Sequence, residues 1–163
     1  MSRPQQYTDD LRLAHILADS VDRVSAMRFR DRPVFSPASE VVEPAEAAPA
    51  AAPLAPWQQA TQQPVEPQAQ VQEPADYASS VAQEVEELLR AQLSRVRTRD
   101  GIAGAHAGYN GQAARQWVIA PIAEQDNFSS GVPVWATLIA LLDQGEPEGG
   151  VVSVPALGRR GWA

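Results

Sequence analysis

The sequence contains no cysteine, so disulfides and thiolate metal sites are excluded. Lysine is absent as well: all 13 basic residues are arginine. Alanine is abundant, and the two biases together point to a GC-rich genome and say nothing of chemistry. No apolar run approaches the roughly 20 residues of a membrane span, and the N-terminus lacks a signal-peptide pattern. Positive charge is not in excess. The net charge is −7, which disfavours nucleic acid, whose binding usually needs a basic face. Arg90, Arg95, Arg97 and Arg99 cluster only at the end of a predicted helix, where cations complement the helix dipole. These absences predict a soluble cytoplasmic protein that binds neither nucleic acid nor membrane. A chain of 163 residues is enough for one domain.

The pattern of what is present divides the chain into 1–42, 43–76 and 77–163. Residues 8–30 read as an amphipathic helix, with Leu13, Ile16, Leu17, Val21, Val24 and Met27 at helical spacing. Thr8 suits an N-cap, Asp9 and Asp10 suit the first turn, and Asp19 pairs with Arg23 at i,i+4. Residues 43–76 are rich in Pro, Ala, Gln and Glu. Such a segment buries too little apolar surface to offset its ordering entropy, so it reads as a disordered linker. Trp57 is its one large aromatic side chain, either a docking anchor or a solvated linker residue. In the third part, Val81, Val85, Leu88, Leu89, Leu93 and Val96 form a second helical stripe, with Glu86 and Arg90 paired at i,i+4. A Gly-rich loop over 101–111 follows, and then strands over 116–122, 132–142 and 151–154, the last two separated by a turn at 143–150. The order helix, linker, helix, strands predicts an α+β layer arrangement.

Three motifs carry a resemblance. Trp117 to Pro133 (WVIAPIAEQDNFSSGVP) is similar to the W-x-I-D-P-I-D-G-T-x-N-F-x-x-G-x-P signature of the inositol monophosphatase superfamily. Trp117, Ile119, Pro121, Ile122, Asn127, Phe128, Gly131 and Pro133 all fall in register. Gly104 to Gly108 (GAHAG) resembles the family's G-E-E-x-G, and Arg32 to Val42 (RPVFSPASEVV) its K-P-D-x-T-P-V-x-x-A-D. Tyr7 to Arg30 looks like the first helix of actinobacterial members, including histidinol phosphatases. The resemblance implies a fold like the N-terminal half of the family's, with helices packed on a mostly antiparallel sheet and interrupted by the Pro/Ala/Gln-rich insertion. A family member continues for about another domain-sized piece. That piece carries a further metal-binding Asp and is expected to be missing here.

The resemblance also implies a Mg²⁺ site, and the residues at its positions do not suit one. Val34, Val42, Ala105, His106, Ala120 and Ala123 stand where the family places carboxylates, and Gln125 where it places the Thr beside the phosphate. Magnesium takes hard oxygen ligands, and alanine and valine side chains have none. Glu124 replaces a glycine that lets the backbone approach a ligand. The expectation is therefore no catalytic residue, no metal and no cofactor, with Mg²⁺ entering only if the chain is active after all.

Other chemistry has little support. His15 lies beside apolar residues on the first helix and reads as a core or boundary histidine. His106 stands alone in a Gly/Ala loop, and Glu124 with Asp126 lacks a third ligand in register. Ser129 and Ser130 have no His/Asp pattern near them, and the glycines over 101–111 form no P-loop. The leading reading is a catalytically inactive phosphatase-like protein that works by binding a protein partner or by self-association. Trp57, Trp135, Leu138 and Ile139 are its interaction candidates. The alternatives are an active Mg²⁺-dependent phosphomonoesterase acting on histidinol phosphate or inositol phosphate, and a decayed gene product.

Overall fold

A computed structural model describes residues 3–34, 73–111 and 113–163 of the chain. Trp57, Val42 and the linker expectation for 43–72 lie outside these residues. In chain order the elements are α1 (Arg3–Arg30), α2 (Pro74–Val96), β1 (Gly101–Gly104), β2 (Gly108–Asn110), β3 (Arg115–Ala123), α3 (Gln125–Ser130), β4 (Ala136–Asp143), β5 (Glu146–Val154), a 3₁₀ turn (Pro155–Leu157) and β6 (Arg159–Trp162). The strands form one sheet in the order β2-β1-β3-β4-β5-β6. Every pair is antiparallel except β1 with β3. Two long helices on a mostly antiparallel sheet are the α+β layering that the sequence predicts. No helix among the described residues is long and apolar enough to cross a membrane.

Period-two alternation along the strands sets the layering. Trp117 and Ile119 of β3, Ile139 and Leu141 of β4 and Val151 of β5 point to the helices and are buried with Leu17, Val21, Leu89 and Leu93. The residues between them, Val118, Ala120, Leu138, Ala140 and Val152, are half-buried or exposed on the other face.

The helices differ from expectation in phase. On α1 the buried stripe is Asp10, Ala14, Leu17, Ala18, Val21 and Ser25, whereas Ile16 and Met27 are exposed. Small residues at 14 and 18 let the helix approach its neighbours closely, so the seam runs along them and not along the bulkiest side chains. The helix extends back to Arg3, which leaves Thr8, Asp9 and Asp10 inside it and not at its cap. Asp10 is buried, and its carboxylate receives Arg97 at 2.9 Å and Arg115 at 2.6 Å. Asp19 takes Arg160 at 2.7 Å and not the predicted Arg23. Helix α2 starts at Pro74, a residue suited to a first helical turn, and so claims the end of the predicted linker. Leu88 and Val96, read from the sequence as part of its stripe, are exposed, and Ala78, Ala82 and Glu86 are buried with it instead.

The sheet is also larger than predicted. The Gly-rich stretch over 101–111 is the β1–β2 hairpin, and the strand expected over 132–142 starts only at Ala136 because α3 and its exit come first. The turn expected over 143–150 shrinks to Gln144 and Gly145. Both have positive φ, 54° and 87°, as tight two-residue hairpin turns require.

Candidate functional site

Strand β1 runs parallel to β3 with Gly104 opposite Ile119. Parallel neighbours end at the same edge of a sheet. The turn 105–107 after β1 and the segment Ala120–Ala123 at the end of β3 therefore leave the sheet together, and α3 begins at Gln125. The structure thus gathers Ala105, His106, Ala120, Ala123 and Gln125 at one end of the sheet. Val34 lies past the end of α1 and is almost fully exposed.

The residues retained from the signature build this frame. Phe128 is fully buried, with its ring 5.1 Å from Trp135 and 5.5 Å from Phe29. Gly131 ends α3 at φ 80°, a left-handed conformation that favours glycine, and lies against the guanidinium of Arg32. The Asn127 side-chain amide donates to the Val134 carbonyl at 2.8 Å, and the Val132 N–H to the Asn127 carbonyl at 2.8 Å. Trp117 Nε1–H donates to Asp100 at 2.9 Å. The Thr137 hydroxyl donates to the Pro121 carbonyl at 2.8 Å.

A further residue organises the 105–107 turn. Glu86 of α2 is buried, and its carboxylate accepts the backbone N–H groups of His106 and Ala107, each at 2.9 Å. Arg90 Nε–H donates to the same carboxylate at 2.9 Å. The Arg90 guanidinium also reaches the Ile102 carbonyl at 3.4 Å and the Gly108 carbonyl. Burial pushes the Glu86 carboxyl up, but the two backbone donors and Arg90 outweigh it, and its pKa falls below the ordinary value. From the sequence alone Glu86 is only the i,i+4 partner of Arg90. The available signal was its place on the buried stripe between Val85 and Leu89.

The donor set at this end of the sheet does not fit Mg²⁺. Ala105, Ala120 and Ala123 offer no side-chain oxygen. His106 is exposed, a nitrogen donor with its backbone N–H engaged by Glu86. Glu86 itself is committed to Arg90 and two amides. Among the described residues no group of three or more His, Cys, Asp and Glu could hold a metal ion. Glu124 adopts φ 63°, a left-handed conformation unusual for a residue with a side chain, and is exposed. Gln125 is half-buried and Asp126 exposed. Ser129 is buried and donates to the Asp126 carbonyl at 3.1 Å. His15 is half-buried, edge-on to Trp162 at 5.6 Å.

Two of the interaction candidates are core residues. Trp135 and Ile139 are each 1% exposed and point to the helices, so neither reaches a partner without unfolding. Leu138 is half-buried on the sheet face turned away from α1 and α2, beside Ala120 of β3 and Val152 of β5. Period two explains the split: 138 and 139 cannot share a face.

The family model described as "Inositol monophosphatase family" matches residues 39–163. The chain belongs to this family. Among its relatives, a histidinol-phosphatase of Streptomyces coelicolor is 40% identical over 96% of the chain and 48% of the relative. A histidinol-phosphatase of Mycobacterium tuberculosis is 51% identical over 48% of the chain and 31% of the relative. A solved inositol monophosphatase from Zymomonas mobilis matches with a TM-score of 0.62 at 27% identity, over 98% of the chain and 47% of that structure. The chain thus spans less than half the length of each of these family members.

Proposed function

We propose that this family member serves phosphomonoester chemistry of the histidinol-phosphatase kind, its described residues forming the frame of the site. The observation that carries this reading is the 40% identity to a histidinol-phosphatase over nearly the whole chain. The retained Trp117, Asn127, Phe128 and Gly131 agree with it, because they build the same end of the sheet. The comparisons support the phosphatase alternative better than a non-catalytic protein-binding role, for which neither they nor the fold supply an observation. Because the residues at 105, 106, 120 and 123 do not fit Mg²⁺, hydrolysis would have to draw its water-activating groups from elsewhere. What residues 105–125 contribute is shape: a turn held by Glu86 and Arg90, and a short helix fixed by Phe128.

The donor chemistry favours a second reading, a phosphatase-like protein without turnover. The two separate in one assay of phosphate release from histidinol phosphate and inositol phosphate, with Mg²⁺ and with chelator. Release above background supports the first reading, whether or not it stops with chelator. No release above background, from a chain shown to be folded, overturns it in favour of the second.

A further inference from the structure

A groove of about 440 Å³ lies between α1, the 3₁₀ turn and β6, with β4 and β5 between β6 and β3. Its lining includes Asp22, Arg23, Ser153, Gly158, Arg159 and Arg160. In a chain of net charge −7, three arginines around one cavity are a local reversal of sign.

The arginines are not equivalent. Arg160 is matched: it meets Asp19 at 2.7 Å and Asp22 at 2.6 Å. The Ser153 hydroxyl donates to the same Asp22 oxygen at 2.6 Å, which closes this set into a rigid floor. Arg23 and Arg159 line the same groove, are exposed, and form no ion pair among the described residues. One comes from the helix and the other from the strand. Gly158, at φ 60°, turns the chain from the 3₁₀ turn into β6 and so delivers Arg159 to the rim. Asp19 and Asp22 outnumber Arg160 by one charge, and Arg23 and Arg159 together outweigh that excess, so the groove is left cationic. Guanidinium groups recognise oxyanions by charge-assisted, often bidentate hydrogen bonds. The volume falls within the roughly 300–1,000 Å³ of ordinary small-molecule sites, more than a bare ion fills.

We infer that this groove binds a small phosphorylated molecule, its phosphate between Arg23 and Arg159 and its organic part toward Ala26 and Pro155. The site is independent of the residues at 105–125 and stands whether or not the chain hydrolyses anything.

The test is a titration of the isotope-labelled full chain with inorganic phosphate and, separately, phenyl phosphate, read by backbone amide shifts. Ionic strength is held constant at about 0.15 M, so that general screening does not pass for binding. The expected result is saturable shifts at Arg23, Ser153, Gly158 and Arg159, with a dissociation constant of about 1 mM or below. Binding should weaken at least ~10-fold in Arg23→Ala/Arg159→Ala, as expected on losing charge-assisted contacts. It should stay unchanged in Arg12→Ala/Arg95→Ala, which removes the same charge elsewhere. Both sites in the double variant are exposed, so its spectrum should otherwise overlay that of the parent. Shifts that stay linear in ligand, unchanged affinity in Arg23→Ala/Arg159→Ala, or an equal loss in both double variants would each overturn the inference.

Discussion

The carboxylate of Glu86 fills the space that a side chain on Gly104 would need: a β-carbon built on Gly104 would lie 2.5 Å from Glu86 Oε1. The helix and the turn are therefore fitted to one another. Gly104→Ala should destabilise the fold by about 2 kcal/mol through overpacking. Glu86→Ala should cost about 3 kcal/mol, because it strands Arg90 and two turn amides. Combined, the changes should cost less than their sum by at least ~1 kcal/mol, since removing the carboxylate makes room for the methyl. Urea unfolding of the four proteins checks this, and strict additivity would contradict the contact.

The same carboxylate gives the turn a pH dependence. The Glu86 pKa is lowered in the folded state. Its contribution is therefore fully present above the ordinary glutamate pKa and is lost as pH falls through the lower folded value. Amide exchange at His106 and Ala107, corrected for intrinsic rates, should stay slow at neutral pH and accelerate once the pH drops below the ordinary glutamate range. In Glu86→Gln the two amides should exchange faster than in the parent at neutral pH, and the difference should close once the parent's Glu86 is protonated. Protection in that variant equal to the parent at neutral pH would show that the carboxylate does not hold the turn.

Asp9 and Asp10 are adjacent in sequence and unequal in structure. Asp10→Ala removes the shared partner of Arg97 and Arg115 from a buried position and should cost about 3 kcal/mol. Asp9→Ala should change stability by no more than about 0.5 kcal/mol, as surface substitutions do. Equal effects would return both residues to the role of simple helix-end charges.

If the sheet face turned away from α1 and α2 mediates association, Leu138 and Val152 carry it, since they lie opposite one another there. Leu138→Asp/Val152→Asp should lower the self-associated fraction seen by light scattering and leave the fold intact. Trp135→Asp should unfold the protein, because Trp135 packs against Phe29 and Phe128. A folded Trp135→Asp variant with impaired association would reverse this assignment.

The sequence made some of this legible and hid the rest for physical reasons. The strands holding Trp117, Ile119 and Ile139 and the helix ending at Arg30 are local patterns, and the structure has them. Family membership was carried by residues that turn out to be frame: Phe128 in the core, Gly131 at the end of α3, Asn127 bridging to Val134. The phase of α1 was not legible, because Ile16 and Met27 outweigh Ala14 and Ala18 in hydropathy but not in closeness of packing. Glu86 was missed because a glutamate is normally a surface residue, and only the approach of the 105–107 turn gives it partners. The β1–β2 hairpin was hidden by its glycines, which weaken the strand signal yet leave room for Glu86. Trp135 and Ile139 were misplaced because a run of apolar residues does not reveal which face is covered.

At the end of the sheet that carries the 105–107 turn and α3, the frame residues Trp117, Asn127, Phe128 and Gly131 are kept, while the side chains at 105, 106, 120 and 123 carry no oxygen. A titration of the isotope-labelled chain with Mg²⁺ to about 10 mM, well past the mM range of weak binding, tests for a Mg²⁺ site there most directly. No saturable amide shift is expected at Ala105–Ala107 or from Ala120 to Gln125. Saturable shifts confined to those residues, reversed by chelator, would contradict it.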